Sequence, residues 1–281
     1  VVDDGSKDDS AEIAAKAIEG RENCRLIRQE NAGVSMARNN GVAASQGENV
    51  CFLDADDWWD ARFLEEMAKL IAEFPDAGIY GASYTIISEQ NHKSRLAAIG
   101  VDKGFERGYI DYFKVYARGL YMPLWTGAVC VPRKALDSVA GFNPRLKMGE
   151  DFDLWVRIAL NYKVALVNKP LSNYNQDVDS ANRAIGTLPP PETQFSFCAG
   201  YLDEAKKRNP ALKFTVEMVQ IACLRSYYQS RTYHKRAKEV LGELDVNAHE
   251  GQAYAKYLHY PAWMTLMKDK IYTYLNRWIK K

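Results

Sequence analysis

The chain has few of the residues that build most metal cages and nucleophile sites. Its four histidines, His92, His234, His249 and His259, do not cluster in sequence. No zinc spacing and no Ser-His-Asp ordering uses them, which argues against zinc enzymes and serine hydrolases. The five cysteines, Cys24, Cys51, Cys130, Cys198 and Cys223, are odd in number, scattered and without Cys-x-x-Cys spacing. That usage points to a reducing compartment, with neither disulfides nor structural zinc. Cys51 and Cys130 lie in apolar runs and read as small core residues. An excess of one charge is also missing. The net charge is +1, so no global field calls for nucleic acid as a partner. No uninterrupted apolar stretch is long enough to span a bilayer and no signal peptide is visible, so a cytoplasmic location is expected.

What is present is an ordinary globular composition over 281 residues, 47% hydrophobic and 26% charged. That length suits one large domain, or a domain with an appendage. The chain opens at Val1-Val2-Asp3-Asp4-Gly5-Ser6 without a methionine. Val1-Val2 reads as the end of a strand whose beginning is missing, so an N-terminally truncated fragment is expected.

Periodicity gives an alternation of elements. After the Asp3-to-Ser6 turn, Asp8, Asp9 or Ser10 can cap a helix through Ile13, Ala17 and Ile18 that Gly20 stops. Cys24 to Ile27 is a short strand candidate, and Val34 to Ala44 is a small-residue helix. Val50 to Leu53 is an apolar run without alternation, as in a strand buried on both faces. Phe63, Leu64, Met67, Leu70, Ile71 and Phe74 recur at helical spacing until Pro75. Gly78 to Ile87 reads as a strand. This β-α-β-α-β-α-β order predicts an α/β fold with a mostly parallel, Rossmann-like sheet and helices on both faces. Glu89 to Gly108 is polar and reads as a loop. Ile110 to Arg118 reads as a helix, Thr126 to Val131 as a strand, Glu150 to Leu160 as an amphipathic helix, and Val164 to Val167 as a strand. Pro189-Pro190-Pro191 marks a change of character. We therefore expect one domain over 1–188 and a helical region over 189–281.

The chemistry concentrates in Asp54-Ala55-Asp56-Asp57, at the end of the apolar run. Three carboxylates at a strand end repel one another and lose hydration if buried alone. A hard cation, magnesium or manganese, removes both problems and commonly also binds a substrate phosphate. The bland alternative is an acidic turn capping the helix that follows. Arg38, on the small-residue helix, could meet a diphosphate or pair with Asp54. A carboxylate at Asp3 or Asp4 can accept the N3–H of uracil, or cap a helix. Glu150-Asp151 opens a helix whose backbone N–H groups and dipole favour an ionised aspartate, the form a base needs. Trp125 could stack on a sugar ring, and Gly127 would let that sugar approach the backbone; a core tryptophan and a plain strand glycine are the alternatives.

Four features in order carry a resemblance: Val1-Val2-Asp3-Asp4-Gly5-Ser6; Asn31-Ala32-Gly33 with Ala37-Arg38-Asn39; Asp54-Ala55-Asp56-Asp57; and Gly149-Glu150-Asp151. Together they resemble the family 2 glycosyltransferases, of glycosyltransferase-A fold, over roughly 1–174. The resemblance implies nucleotide contacts at Asp3, Asp4, Arg38 and Asp54, with Asp54 on the ribose. It implies a divalent metal on Asp56, the last aspartate of Asp-x-Asp. Asp151 would be the base of an inverting displacement, Glu150 its orienter or an acceptor contact, and Trp125 and Gly127 the acceptor side. The implied reaction moves a sugar from a UDP- or dTDP-type donor to a glycan or lipid-linked acceptor in bacterial surface polysaccharide synthesis. A sugar nucleotidyltransferase, or a nucleotide-sugar-binding module without turnover, is the alternative. Ala262 to Lys281 has five Lys or Arg against one Asp and an apolar face. It would either lie on anionic membrane, on the inner face, or dock on the protein.

Overall fold

Two long strands organise the architecture of the computed structural model, which describes residues 1–88, 93–119, 121–176 and 188–267. These are β5 (Ala77–Ser88) and β9 (Lys163–Asn175), paired in parallel along most of their length. Residues 77–82 of the first and 164–167 of the second are buried on both faces. The other strands are short: β1 (Val2–Asp3), β2 (Ile27–Arg28), β3 (Asn49–Cys51), β4 (Trp58–Trp59), β6 (Lys93–Leu96), β7 (Arg107–Ile110) and β8 (Val129–Pro132). The helices of the first part are α1 (Ser10–Ile18), α2 (Val34–Ala44), α3 (Phe63–Glu73), α4 (Tyr112–Arg118), α5 (Arg133–Ser138) and α6 (Glu150–Ala159).

The α/β class is as expected, but the strand directions are not mostly parallel. The main sheet runs β3-β8-β5-β9-β4, with β6 added on β5 and β7 on β9. β3, β5 and β9 point one way; β8, β4, β6 and β7 point the other. The helical alternation orients only strands joined by crossovers. Strands that return by a short loop come back antiparallel, and β8 inserts between β3 and β5. β1 and β2 form a separate parallel pair among the described residues.

Further local differences have simple causes. The expected strand over Val50 to Leu53 ends at Cys51, and Leu53 is exposed where the chain turns into the aspartates. Residues 126–128 form a 3-10 turn before β8. The stretch expected as a loop, 89–108, contributes β6 and the start of β7 as edge strands. Their polar sequences suit a solvent-facing edge.

α3 buries Phe63, Met67 and Leu70 against Tyr80, Ala165 and Val167 of the sheet. Leu166, between the last two, joins Tyr84, Ile86 and Ile99 in another cluster, as the two-residue period of a strand requires. Leu70 is fully buried; shortening it to alanine should cost about 2–5 kcal/mol.

The chain divides into two compact units, Val1–Ala184 and Ile185–Lys281. The second is helical, with α7 (Phe195–Cys198), α8 (Asp203–Arg208), α9 (Pro210–Gln229) and α10 (His234–Glu243). α9 starts where its sequence directs. Asn209 accepts a hydrogen bond from the Leu212 amide at 3.0 Å, and Pro210 takes the first helical position. Its Ile221, Leu224 and Tyr227 pack with Ala237, Val240 and Leu241 of α10. Among the described residues no helix is long and apolar enough to cross a membrane. Most of the 262–281 segment lies outside the described residues; within its helical start, Trp263, Leu266 and Met267 are exposed.

Candidate active site

The apolar run of β3 ends at the acidic turn, and the turn splits its three aspartates into three environments. Asp54 is half-buried and takes the Arg38 guanidinium at 2.9 and 3.2 Å. Asp56 is exposed and has no hydrogen bond or ion pair among the described residues. Asp57 points inward. Its carboxylate accepts the Trp125 indole N–H at 3.1 Å and the Asn175 amide at 2.9 Å. Burial pushes Asp57 up to about 6, against the pull of those two donors. The Trp59 indole N–H donates to the Gly127 carbonyl at 2.7 Å. Asp57 and Trp59 therefore fasten the acidic turn to the 125–127 segment and to the end of β9. A Cβ on Gly127 would stand 3.2 Å from Asp57 Oδ2.

Arg38 is the hub. It rises from α2 with only 12% of its side chain exposed, bonds Asp54, and bonds Glu150 Oε1 at 3.1 Å. Its guanidinium also lies 5.3 Å from the centre of the Phe142 ring. Burial opposes its charge, but Asp54, Glu150 and Asp151 together outweigh that and raise its pKa. One cation thus joins the acidic turn to the start of α6, more than ninety residues away in sequence. Arg38's pairing with Asp54 was one of the two expected uses; the bridge to Glu150 was not foreseen.

The loop before α6 is latched to α2 from both sides. Asn39 Nδ2 donates to the Phe142 carbonyl at 2.8 Å, and the Phe142 amide donates back to Asn39 Oδ1 at 2.9 Å. Gly141 makes this approach possible. Its φ is +66°, and a Cβ there would come within 2.7 Å of Asn39 Oδ1. From α6, Arg157 donates to the Val139 and Gly141 carbonyls at 2.6 and 2.9 Å while Asp153 holds it at 2.6 Å. Asn39 belonged to a recognised motif but without this role, and Phe142, Asp153 and Arg157 make no distinct motif alone, so sequence reasoning did not find the latch.

Glu150 and Asp151 share this buried corner. Burial first, and then the neighbouring Asp151 charge, push Glu150 up to about 7 although Arg38 resists. Asp151 accepts the Phe152 amide at 2.7 Å. The helix start was expected to favour the ionised form of Asp151; burial instead raises its pKa above the ordinary value, despite the Phe152 amide and Arg38. Desolvation of the carboxylate here outweighs one N–H and a cation shared with two other acids.

Asp3 and Asp4 close β1. Asp3 is buried, accepts the Ser6 amide at 3.1 Å, and its pKa is lowered chiefly by Ser6. Asp4 receives the Ala32 and Gly33 amides at 2.8 and 2.9 Å and Gln29 Nε2 at 2.7 Å. Three of the roughly four acceptor positions of its carboxylate are occupied, so about one remains for a ligand. Asn40 donates to Gln29 at 2.7 Å, which ties Asp4 to the helix carrying Arg38.

Trp125 is half-buried, with its ring centre 4.1 Å from Tyr174 and 5.9 Å from Tyr84. Its N–H and much of its ring serve the fold. Trp58, beside the acidic turn, is 45% exposed and, unlike Trp125, has a free face. Its position after an aspartate run was the only available signal.

Among the described residues no three His, Cys, Asp or Glu side chains converge as a metal cage. The donor set is nonetheless suited to magnesium or manganese. These ions often take only one or two carboxylates from a protein and fill the rest with phosphate and water. Asp56, exposed and unpaired among the described residues, is the carboxylate free for that role, with Asp54 beside it.

Residues 1–131 match the model of glycosyl transferase family 2. The chain is 37% identical over 109 residues to the glycosyltransferase GlyA of Streptococcus pneumoniae, covering 39% of this chain and 15% of that one. It is 30% identical over 184 residues to the succinoglycan biosynthesis protein ExoU of Rhizobium meliloti, covering 58% of this chain and 50% of that one. The chain thus spans half or less of the length of these relatives. In structure it is similar to residues 1–349 of S. aureus TarS, solved with UDP-GlcNAc, with a TM-score of 0.57 and 16% identity. That match covers 86% of this chain and 61% of the other. Glu150 and Asp151 lie beyond the segment the family model matches.

Proposed function

We propose that this chain is a family 2 glycosyltransferase and moves a sugar from a UDP- or dTDP-type donor to a glycan or lipid-linked acceptor, with inversion at the anomeric carbon. The observation that carries this reading is the Arg38 bridge, 2.9 Å from Asp54 and 3.1 Å from Glu150. It gathers a diphosphate-side acid and a base-side pair into one corner.

In this reading Asp56, with Asp54, holds a magnesium or manganese ion. Such an ion, when bound, neutralises the charge that grows on a departing diphosphate. The protein's own residues do the rest. Asp4 offers its remaining acceptor position to the base of the nucleotide, with Asp3 beside it. Asp54 serves the ribose while Arg38 fixes its orientation. Asp151 takes the proton from the acceptor hydroxyl as the new bond forms, and its raised pKa makes it a stronger base than a free aspartate. Glu150 orients Asp151 or meets the acceptor. Trp125 and Gly127 shape the acceptor side, through their hold on Asp57 and Trp59. The uridine donor is supported by the TarS complex named above, and surface polysaccharide synthesis by the ExoU name. We place the reaction in the cytoplasm. The exposed Trp263, Leu266 and Met267 support a peripheral contact of 262–281 with the membrane's inner face.

A screen of UDP- and dTDP-sugars, reading nucleoside diphosphate release with and without glycan acceptors, tests this reading. Release of diphosphate from at least one donor is expected. Release of pyrophosphate from a nucleoside triphosphate and a sugar phosphate would instead mark a nucleotidyltransferase. Binding of a donor without any release would mark a binding module.

A further inference from the structure

Cys51 and Cys130 stand opposite each other across β3 and β8. The ladder fixes what kind of pair they are. One step outside it, the Arg133 amide donates to the Glu48 carbonyl at 2.7 Å, so those two residues form a hydrogen-bonded pair. Bonded and non-bonded pairs alternate between antiparallel strands. Asn49–Pro132 is then non-bonded, as a proline without an N–H requires, Val50–Val131 is bonded, and Cys51–Cys130 is non-bonded. In a non-bonded pair the Cα atoms stand about 4.5 Å apart and the side chains are at their closest. A disulfide needs Cα atoms roughly 4.4–6.8 Å apart, so this pair is within reach of one. Both side chains pack on the face that α3 covers with Phe63 and Met67. Each thiol also feels the other. Cys51 lowers the pKa of Cys130, while Cys130, and then burial, raise that of Cys51.

The pair is both accessible and well placed. β3 is the outer strand of the main sheet, and Cys51 is partly exposed while Cys130 is buried. A small molecule therefore meets Cys51 first. Cys51 is the last residue of β3, three before Asp54, and Cys130 follows Gly127 by three. The contacts of Asp57 with Trp125 and of Trp59 with Gly127 join the same two segments further on. A disulfide holds its Cβ atoms about 3.8 Å apart, whereas facing residues on a sheet stand about 4.5–5.5 Å apart. Closing the bond draws the end of β3 towards β8 and carries the turn with Asp54 and Asp56 along.

We propose that Cys51 and Cys130 form a reversible disulfide that displaces the acidic turn and lowers turnover. The oxidant is a small-molecule disulfide. Cys51 attacks one of its sulfurs as the thiolate, which gives a mixed disulfide and releases one small thiol carrying the Cys51 proton. Cys130 then attacks the Cys51 sulfur and releases the second small thiol with its own proton. Two cysteines are oxidised and one disulfide is reduced to two thiols. A reducing compartment keeps the pair as thiols until its small-thiol pool is oxidised. The effect on turnover rests on the glycosyltransferase reading; formation of the bond does not.

The test treats the native full chain with oxidised glutathione. Peptide mapping after alkylation reads the linkage. Near-UV circular dichroism reads Trp58, Trp59 and Trp125 around the turn and needs no donor. A Cys51–Cys130 linkage and an altered near-UV spectrum are expected. Turnover should fall on the order of a hundredfold, the scale of an ångström of misplacement. Dithiothreitol should reverse all three. Cys51→Ala and, independently, Cys51→Ser should remove the linkage and the sensitivity to oxidant while keeping the turnover of the reduced chain. The proposal is overturned if exposed Cys24 is modified while Cys51 and Cys130 stay unlinked, or if they link only in urea. It is also overturned if linkage leaves the near-UV spectrum unchanged, or leaves turnover unchanged in a chain active when reduced. A reduced chain without turnover on any donor would count against the glycosyltransferase reading, while linkage and spectrum still decide on the switch.

Discussion

Removing the Arg38 guanidinium gives the sharpest thermodynamic signature of the site. Arg38→Met keeps the length and apolar stem of the side chain but strands Asp54, Glu150 and Asp151 without their shared cation. Breaking a buried pair by deleting one partner typically costs about 3–5 kcal/mol. Asp54 is 34% exposed against 14% for Glu150, so water partly screens one of the two pairs. We therefore take the lower end, about 3 kcal/mol near pH 8. The loss should depend on pH. Glu150 already titrates at about 7 in the fold against an ordinary 4.5. A carboxyl whose folded pKa is raised makes the folded state bind the extra proton, so stability falls as pH rises through that window. Without Arg38 the pKa values of Glu150 and Asp151 rise further and the window extends upward. The deficit should shrink to about 1–2 kcal/mol near pH 5.5, where the acids take up protons and need no cation. Urea denaturation of wild type and variant at both pH values, followed by tryptophan fluorescence, measures this. Arg38→Lys should recover part of the loss, because it keeps the charge but cannot make the forked contact with Asp54. A deficit that is the same at both pH values, or below about 0.5 kcal/mol, would refute the coupling, since that is the scale of a neutral surface change.

Other predictions follow from the same geometry. Asp57 titrates at about 6 in the fold against 3.8, so its protonated form stabilises at low pH and that contribution is lost as pH rises between those values. Asparagine does not titrate, so the stability of wild type relative to Asp57→Asn should fall by about 2.4 kcal/mol from about pH 4 to about pH 7 in thermal or urea melts. EDTA should abolish sugar transfer and either magnesium or manganese should restore it; full activity in EDTA would remove the metal assignment from Asp56. Trp58→Ala, which leaves the Trp125–Asp57 contact intact, should raise the acceptor KM with little change in melting temperature if the exposed ring meets the acceptor; an unchanged acceptor KM would rule that out.

Periodic elements were legible in the sequence because their signals are local. The apolar spacing from Phe63 with Pro75 behind it gave α3, and the acidic start before Phe152 and Trp155 gave α6. Strand direction was not local. β8 inserts antiparallel between β3 and β5, and nothing within Val129–Pro132 encodes which neighbour it meets. β6 and β7 lie in a polar stretch whose strand character comes from pairing with β5 and β9. In the candidate site, the aspartates themselves were visible, but their environments were not. Asp54, Asp56 and Asp57 are the same residue type within four positions, yet one is bridged, one exposed and one buried. The partners that make them so, Arg38, Trp125 and Asn175, come from elsewhere in the chain. The upward shift of Asp151 was missed for the same reason: a helix start favours the ionised acid and a lowered pKa, and the burial that raises it comes from packing around it.

The measurement that bears most directly on the proposed reaction compares wild type with Asp151→Asn in a single-turnover transfer assay. Product anomeric configuration is read by NMR and donor binding is measured separately. Asparagine preserves the shape and the contact with the Phe152 amide but cannot take the acceptor proton. The account predicts an inverted product from wild type. For the variant it predicts near-normal donor affinity and turnover lower by roughly a hundred- to ten-thousand-fold, the range of general-base effects. Near-full turnover by Asp151→Asn, or a product of retained configuration, would contradict it.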